Sequence, residues 1–513
     1  MPAASRLHQF ADSIAGQLER GKYWYLTYIS IAYIATTLLR AQAKLVWHDE
    51  LFTYHISRLP SFEAIWQALL NRADMNPPLL YFATKISFEL FGEGHISVRL
   101  PSILGYLIFS ICIFRFVLRR CPAVYAFGAV GFLFVCGAYD FAIEARSYGV
   151  VLAFAGLALI CWQSVASGDR HRKRWLAGLA FSLAAAMFTH AYAVLLIPAF
   201  ALGELTRSWA SRRIDWPIWL TFSAGVPSII IYLHLLSNWS KAQLASVAYS
   251  PTYSSLPEFY HFLFEPALWP LFLVAVLTGI ALCSDHPVPL HGVLVPRHEL
   301  AAAIGFALIP LPAFLISLTV TKVFFNRYGL ASTAGLAILL VFLAARAARG
   351  WAFPGVAMAI VFPTAFLIQF GVFLNGLSPA SASTAVVAQP DSPEKAEPSL
   401  PLVLSEPGAF MKWDRYSAPE VAARSYYLWD RSAAIRFTGS ELIDVGLSSM
   451  KSWYPFRSRV VPYREFLSEH KRFLLLAHWQ HPLDWLVNQL LEDGASLRLR
   501  GRYGEYYLYE VQR

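Results

Sequence analysis

Cysteine is scarce in this chain, five residues in 513, and all of them (Cys112, Cys121, Cys136, Cys161 and Cys283) lie in or beside hydrophobic stretches. That distribution excludes a disulfide framework and a cysteine-based zinc site. Charge is scarce as well. Asp, Glu, Lys and Arg make up 15% of the residues against 57% hydrophobic ones, and a mean hydropathy of +0.46 excludes a soluble protein of this length. The interiors of the apolar stretches are nearly free of ionisable side chains, which argues against an ion-coupled carrier, because such carriers need charge near the midplane. The C-terminal part contains no Gly-rich phosphate loop, nucleophile elbow or metal-ligand spacing.

What is present is a series of apolar stretches close to the ~20 residues that cross a bilayer, about eleven from Tyr23 to Leu374. The chain reads as a polytopic α-helical membrane protein, with residues 1–375 as its membrane part. The first span, Tyr23 to Val46, is longer than the apolar region of a signal peptide and has no small-residue cleavage site, so it reads as a signal anchor. Basic clusters at Arg20/Lys22, Arg115/Arg119/Arg120, Arg170/Arg172/Lys173/Arg174, Arg207/Arg212/Arg213 and Arg346/Arg349 fall on every second loop. Positive loops stay in the cytoplasm, which places the N-terminus inside and the region after the last span outside. Residues 376–513 hold 16 Lys and Arg and 16 Asp and Glu. The net charge of +9 therefore belongs to the membrane part and needs no nucleic acid partner.

Residues 47–96 form an outer loop too long for a turn. After Ser61, a good N-cap, Phe62, Ile65, Trp66, Leu69 and Leu70 recur at helical spacing, which predicts a short amphipathic helix lying on the membrane surface. Pro77-Pro78 starts a second helix, Leu79 to Phe91, stopped by Gly92 and Gly94. Residues 376–400 are rich in Ser, Ala, Pro and Glu and read as a linker. Residues 401–513 then alternate short β-prone runs (401–405, 425–429, 472–478, 496–501 and 505–511) with helical patterns such as Leu483–Leu491, as in an open α/β sheet stabilised by its own core. Its expected role is to cap the membrane part or to hold an acceptor.

Polar residues gather on one rim of the predicted spans. The segment Trp47-His48-Asp49-Glu50 puts two carboxylates at the membrane border, where desolvation disfavours their charged form and the fold must supply a reason to keep them. If the segment is helical, Asp49 shares a face with Phe52, Ile56 and Leu59 and points inward; Glu50 is turned about 100° away. Asp49 is the candidate base, although it also suits an N-cap, and Glu50 suits a structural or solvated role unless the segment is not helical. Arg146 and Arg327, beside Tyr148 and Tyr328, are candidates to hold a phosphate, or are interfacial arginines that only snorkel. His190, in the turn Thr189-His190-Ala191-Tyr192, is either a donor contact or a satisfied interface residue. Asn76 and Tyr81 are candidates for sugar or acceptor contacts, with helix capping as the plain alternative for Asn76. Asn238-Trp239-Ser240 matches a glycosylation triplet that is frequent by chance. Such a rim suits sugar transfer from a lipid phosphate. One base deprotonates an acceptor hydroxyl, and one or two cations hold the departing phosphate, which needs no general acid.

Taken in order, WHDELFTYHI after the first span, DMNPPLLYF, RLPS opening the second span, EARSY opening the fourth, THAY, and a late NRY resemble the GT-C membrane glycosyltransferases of the protein O-mannosyltransferase and aminoarabinose-transferase superfamily, especially its broad bacterial branch. The resemblance covers most of residues 23–375. It implies a GT-C-like fold in a bacterial inner membrane, with a soluble outer domain. It further implies a polyprenyl-phosphate-linked sugar donor, a lipid, glycan or protein acceptor, inverting transfer on the outer face, and Asp49 as the acidic catalytic residue. Some relatives use a divalent metal and others do not, and no ligand set here decides between them. Two departures matter: Asn76 stands where the broad branch often has His and the aminoarabinose enzymes have Lys, and Phe52 stands where the latter have Arg. These argue against aminoarabinose transfer. A transporter or flippase for a lipid-linked sugar, or an envelope scaffold, would be built from similar material. Against the flippase stand the lack of an evident inverted repeat and the position of the acidic pair at the rim.

Overall fold

A computed structural model describes residues 3–238, 250–284, 295–349, 351–376, 397–439, 441–478 and 484–513. Most of the expected linker and part of the glycosylation triplet lie outside these residues. Up to residue 376 the secondary structure of the described residues is helical, and the described C-terminal part is a six-stranded sheet with helices.

Among the described residues, five helices are long and apolar enough to cross a membrane, or seven if each of two bent pairs counts as one span. Shorter apolar helices such as Ser332–Ala347 stand beside them. Several apolar stretches become shorter or bent helices. Ala123–Val135 turns through 70° into Gly137–Ile143, and Arg297–Ala307 turns through 42° into Pro310–Thr321. An amphipathic helix, Ala3–Arg20, precedes the first long helix, Lys22–Ala43, and packs on Ala123–Val135 and Ala352–Gly376.

Two glycines bring the central helices Leu100–Leu118 and Tyr148–Ala166 together. A Cβ on Gly105 would collide with the backbone of Gly149, and a Cβ on Gly149 with that of Ser102. Small residues let membrane helices approach this closely. The contact lies near the N-terminal ends of both helices, where Ser102 Oγ donates to the Arg146 carbonyl at 2.6 Å. The opposite ends of these helices carry an ionic network in which the fully buried Glu299 and Glu204 pair with Arg120 and Arg207.

The outer loop folds into three helices: His48–Ser57, Phe62–Leu70 and Leu79–Phe91. Ser61 Oγ accepts from Ala64 N as an N-cap, and Gly92, at φ +74°, ends the third helix. Most of the apolar face of Phe62–Leu70 packs against protein, and Phe62 at its start stays exposed. Ile65, Ala68 and Leu69 are buried in one cluster with Phe410, Trp413 and Leu447 of the C-terminal domain.

The sheet has the order β3-β2-β1-β4-β6-β5, formed from β1 Leu402–Leu404, β2 Ser425–Trp429, β3 Arg459–Pro462, β4 Arg472–Ala477, β5 Ser496–Tyr503 and β6 Tyr506–Gln512. β3, β2, β1 and β4 run parallel; β6 and β5 close the sheet antiparallel. Side chains alternate between its two faces. Leu402, Leu404, Leu474 and Leu476 join the core shared with the outer loop, whereas Val403, Phe473 and Leu475 face the domain's own helices. The domain is therefore not stabilised by its own core alone. β3 was absent from the sequence reading because its four residues, Arg-Val-Val-Pro, are too short to show alternation.

Candidate functional site

The site is built on the helix His48–Ser57. Its N-cap is Trp47, whose backbone N–H donates to Glu50 Oε2 at 3.2 Å. The capping task thus falls to Glu50, and Asp49, in the first turn, is left available where the helix dipole favours negative charge.

Glu50 is fully buried. Its Oε1 accepts from Arg99 Nε at 2.7 Å and from Ala145 N at 2.6 Å, and its Oε2 accepts from Arg99 Nη2 at 2.6 Å. Arg99 also donates to the carbonyls of Ala41, Lys44 and Leu45. Both carboxylate oxygens are occupied inside the fold, so Glu50 takes the structural role: it faces neither solvent nor an open space for an acceptor. The pair ties the end of the first long helix, the start of the second span and the Ala145-Arg146 segment into one piece.

Asp49 faces the other way. Arg327 Nη1 donates to its Oδ2 at 2.8 Å, Arg146 Nη1 donates to its backbone carbonyl at 2.9 Å, and His48 Nδ1 lies 3.5 Å from Oδ1. Burial alone would raise its carboxyl, but Arg327, Arg146 and His48 outweigh burial and hold it well below the ordinary carboxylate range. Arg327 sits in the short turn Asn326–Gly329, its guanidinium 4.1 Å over the Phe325 ring.

Arg146 is shared with a residue that the sequence reading passed over. Asp74 Oδ2 lies 3.2 Å from Arg146 Nη1 and accepts from Tyr81 OH at 2.7 Å, while its Oδ1 accepts from Asn76 Nδ2 at 3.2 Å. Asn76 and Tyr81 are thus gathered around Asp74. The available signal was the lone acid in DMNPP, two residues before Asn76. Glu144 was also missed. It lies 3.4 Å from Lys44, and burial raises its carboxyl, with Asp49 and Glu50 adding to the rise.

Beside Arg327 opens an aromatic pocket lined by Tyr148, Leu152, His190, Tyr192, Ile309 and Tyr328. His190 is 5.5 Å from the Tyr148 ring and 6.0 Å from that of Tyr328, and Tyr192 stacks on Tyr328 at 4.1 Å. His190 Nδ1 accepts from Tyr192 N at 3.2 Å. Burial, with Arg146 and Arg327 nearby, pushes the His190 imidazole down to about 3, so it is neutral at working pH. The structure thus brings Asp49, Arg146, Tyr148, His190, Arg327 and Tyr328 to one end of the helices, with Asn76 and Tyr81 beside them. Among the described residues, no group of three His, Cys, Asp or Glu side chains is arranged to hold a metal ion. Chemically, the arrangement offers a charged carboxylate, two cations able to fork onto a phosphate, and an aromatic, partly apolar wall.

Residues 75–233 match the family model described as dolichyl-phosphate-mannose-protein mannosyltransferase. Comparison with curated protein sequences gives no match. Among solved structures, the chain is similar to ArnT from Cupriavidus metallidurans in the apo state, with 13% identity over 96% of this chain and 98% of that one and a TM-score of 0.55. It is also similar to ArnT from the same organism bound to undecaprenyl phosphate, with 13% identity, 95% and 98% coverage and a TM-score of 0.52. The resemblance drawn from the motif order therefore holds for the fold: this is an ArnT-like, GT-C architecture with a small C-terminal sheet domain. Its apolar helices and that fold make the chain an integral membrane protein.

Proposed function

We propose that the protein is an inverting glycosyltransferase that moves a sugar from a polyprenyl-phosphate-linked donor to a lipid, glycan or protein acceptor at the outer face of a bacterial inner membrane. Its N-terminus would lie in the cytoplasm. The observation that carries this reading is the convergence of Asp49, Arg146 and Arg327, from three separate loops, beside an aromatic pocket.

In the resting site Asp49 is paired and too weakly basic to act. An arriving donor phosphate, itself a bidentate acceptor, competes with Asp49 for the two guanidiniums. Once Arg327 turns to the phosphate, burial meets less opposition at Asp49 and its carboxylate becomes more basic. It then takes the proton of an acceptor hydroxyl as the acceptor oxygen attacks the anomeric carbon. The bond from that carbon to the phosphate oxygen breaks on the opposite side, and the polyprenyl phosphate departs as an anion held by Arg146 and Arg327. Tyr148, His190, Tyr192 and Tyr328 wall the path of the prenyl chain. Support comes also from the family model and from the undecaprenyl-phosphate-bound ArnT of the same fold.

The test is transfer of labelled sugar from polyprenyl phosphate by purified parent and Asp49→Asn proteins. Activity in the parent and its collapse in a folded variant support the proposal. A parent that moves donor across vesicles without transferring sugar would instead make it a flippase.

A further inference from the structure

A cleft of about 360 Å³ lies between the outer loop and the C-terminal domain, away from the aromatic pocket. One wall is Asn71 and Arg72, at the end of the helix Phe62–Leu70; the other is the last turns of Leu442–Trp453, presenting Ser448, Ser449, Ser452 and Trp453. We propose that this cleft is an acceptor subsite that holds a saccharide bearing an anionic group, with Trp453 against the sugar face, the serine hydroxyls on its hydroxyl groups, and Arg72 on its phosphate or carboxylate. The inference rests on the transferase reading above and names the acceptor class for it.

Four observations carry it. The Arg72 guanidinium has no ion-pair partner among the described residues, although most arginines near the site are paired. Among the described residues no acidic side chain lines the cleft, and Arg72 makes its field positive. Trp453 is 36% exposed at the rim, where a flat indole offers a sugar ring an apolar surface and an N–H donor. The wall is also physically continuous with the reaction centre. Ser449 Oγ donates to the Asn71 carbonyl, closing the floor. A Cβ on Gly446, one turn before Ser449, would touch Phe52 and the Ala73 carbonyl. Arg72 stands two residues, at most ~7 Å of chain, from Asp74, whose carboxylate holds Arg146. A glycan seated here extends toward Asp49 along the surface of the outer loop. A peptide acceptor is less well served, since the cleft has no strand edge and no deep apolar pocket for side chains.

The experiment uses the full chain in detergent or nanodiscs and titrates trigalacturonate, a trianionic trisaccharide, by calorimetry. Maltotriose serves as the neutral control. We expect trigalacturonate to bind at least tenfold more tightly than maltotriose, and Arg72→Gln and Trp453→Ala each to weaken it at least tenfold, while undecaprenyl phosphate binding stays within twofold of the parent and reports an intact fold. Equal affinity in parent and both variants overturns the inference. Competition by phosphatidylglycerol vesicles also overturns it, by assigning the cleft to a lipid headgroup, as does displacement by a Ser/Thr-rich peptide, by assigning it to protein. Binding that behaves as expected in a parent without transferase activity would leave the subsite standing and defeat the proposed function instead; transfer that depends on Asp49 with no trisaccharide binding would do the reverse.

Discussion

Arg327 Nη1 donates to Asp49 Oδ2 at 2.8 Å, joining residues 278 positions apart in the chain. The pair keeps the carboxylate ionised and places a cation beside it before any donor arrives. Donor binding is then coupled to release of the base, because the same guanidinium cannot serve both anions in full.

Replacing Asp49 by Asn should remove the base and keep the hydrogen bond from Arg327. A positioned general base contributes on the order of 10²- to 10⁴-fold, so kcat for sugar transfer should fall by about that factor, with a smaller loss of thermal midpoint than Glu50→Gln shows. An equal loss in the midpoint would mark Asp49 as structural.

Arg327→Gln should raise the donor KM and also change the pH profile. The sign follows from the depressed carboxyl of Asp49. In the parent, the pair's contribution to stability is fully present above the ordinary carboxylate pKa and is lost as pH falls through the lower folded value. Without Arg327, burial acts with less opposition and the carboxyl rises, so the acidic limb of kcat/KM should move to higher pH. An unmoved limb would show that Arg327 does not govern Asp49.

Glu50→Gln should behave unlike its neighbour. Breaking one partner of a buried ion pair costs about 3–5 kcal/mol, and Arg99 would keep its three carbonyl acceptors but lose its counter-charge. Denaturant unfolding should therefore show a larger loss of stability for Glu50→Gln, whose pair is fully buried, than for Asp49→Asn, whose pair is partly exposed.

His190 should be silent in the pH–rate profile. Its imidazole, held near 3 by burial and by Arg146 and Arg327, carries no proton to lose between pH 5.5 and 7.5. An inflection in that range that disappears in His190→Gln would contradict this placement.

The C-terminal domain should gain stability on mild acidification. Burial raises the Asp444 carboxyl to about 7, against hydrogen bonds from Tyr427 and Trp485. A raised acid binds more protons folded than unfolded, so stability falls as pH rises from about 4 through the folded value near 7. Asp444→Asn should flatten this dependence in thermal unfolding of the full chain. A slope unchanged by the substitution would place its source elsewhere.

How much was legible in the sequence follows from the length scale of each signal. The helix after Ser61, the start at Pro78 and the stop at Gly92 were readable because caps and breakers act within one helical turn. Helical periodicity also separates Asp49 from Glu50, but it does not say which is the more buried, because every residue from Glu50 to Ser57 is buried. Asp74 was not readable, because nothing local distinguishes a carboxylate that grips Arg146, 72 positions away, from a solvated one. Bent helices such as Ala123–Val135 escaped because an apolar stretch does not record where the chain turns.

By itself, the sequence determined that this chain is a helical membrane protein whose ionisable side chains stand at the ends of its apolar stretches, since hydropathy and helical period are local properties of the chain. Only the tertiary structure decided that Glu50 would be locked to Arg99 while Asp49, the next residue back, would meet Arg327. Those partnerships depend on how separate loops are packed, through contacts as particular as Gly105 against Gly149, and no local pattern encodes the distance between elements so far apart in the chain.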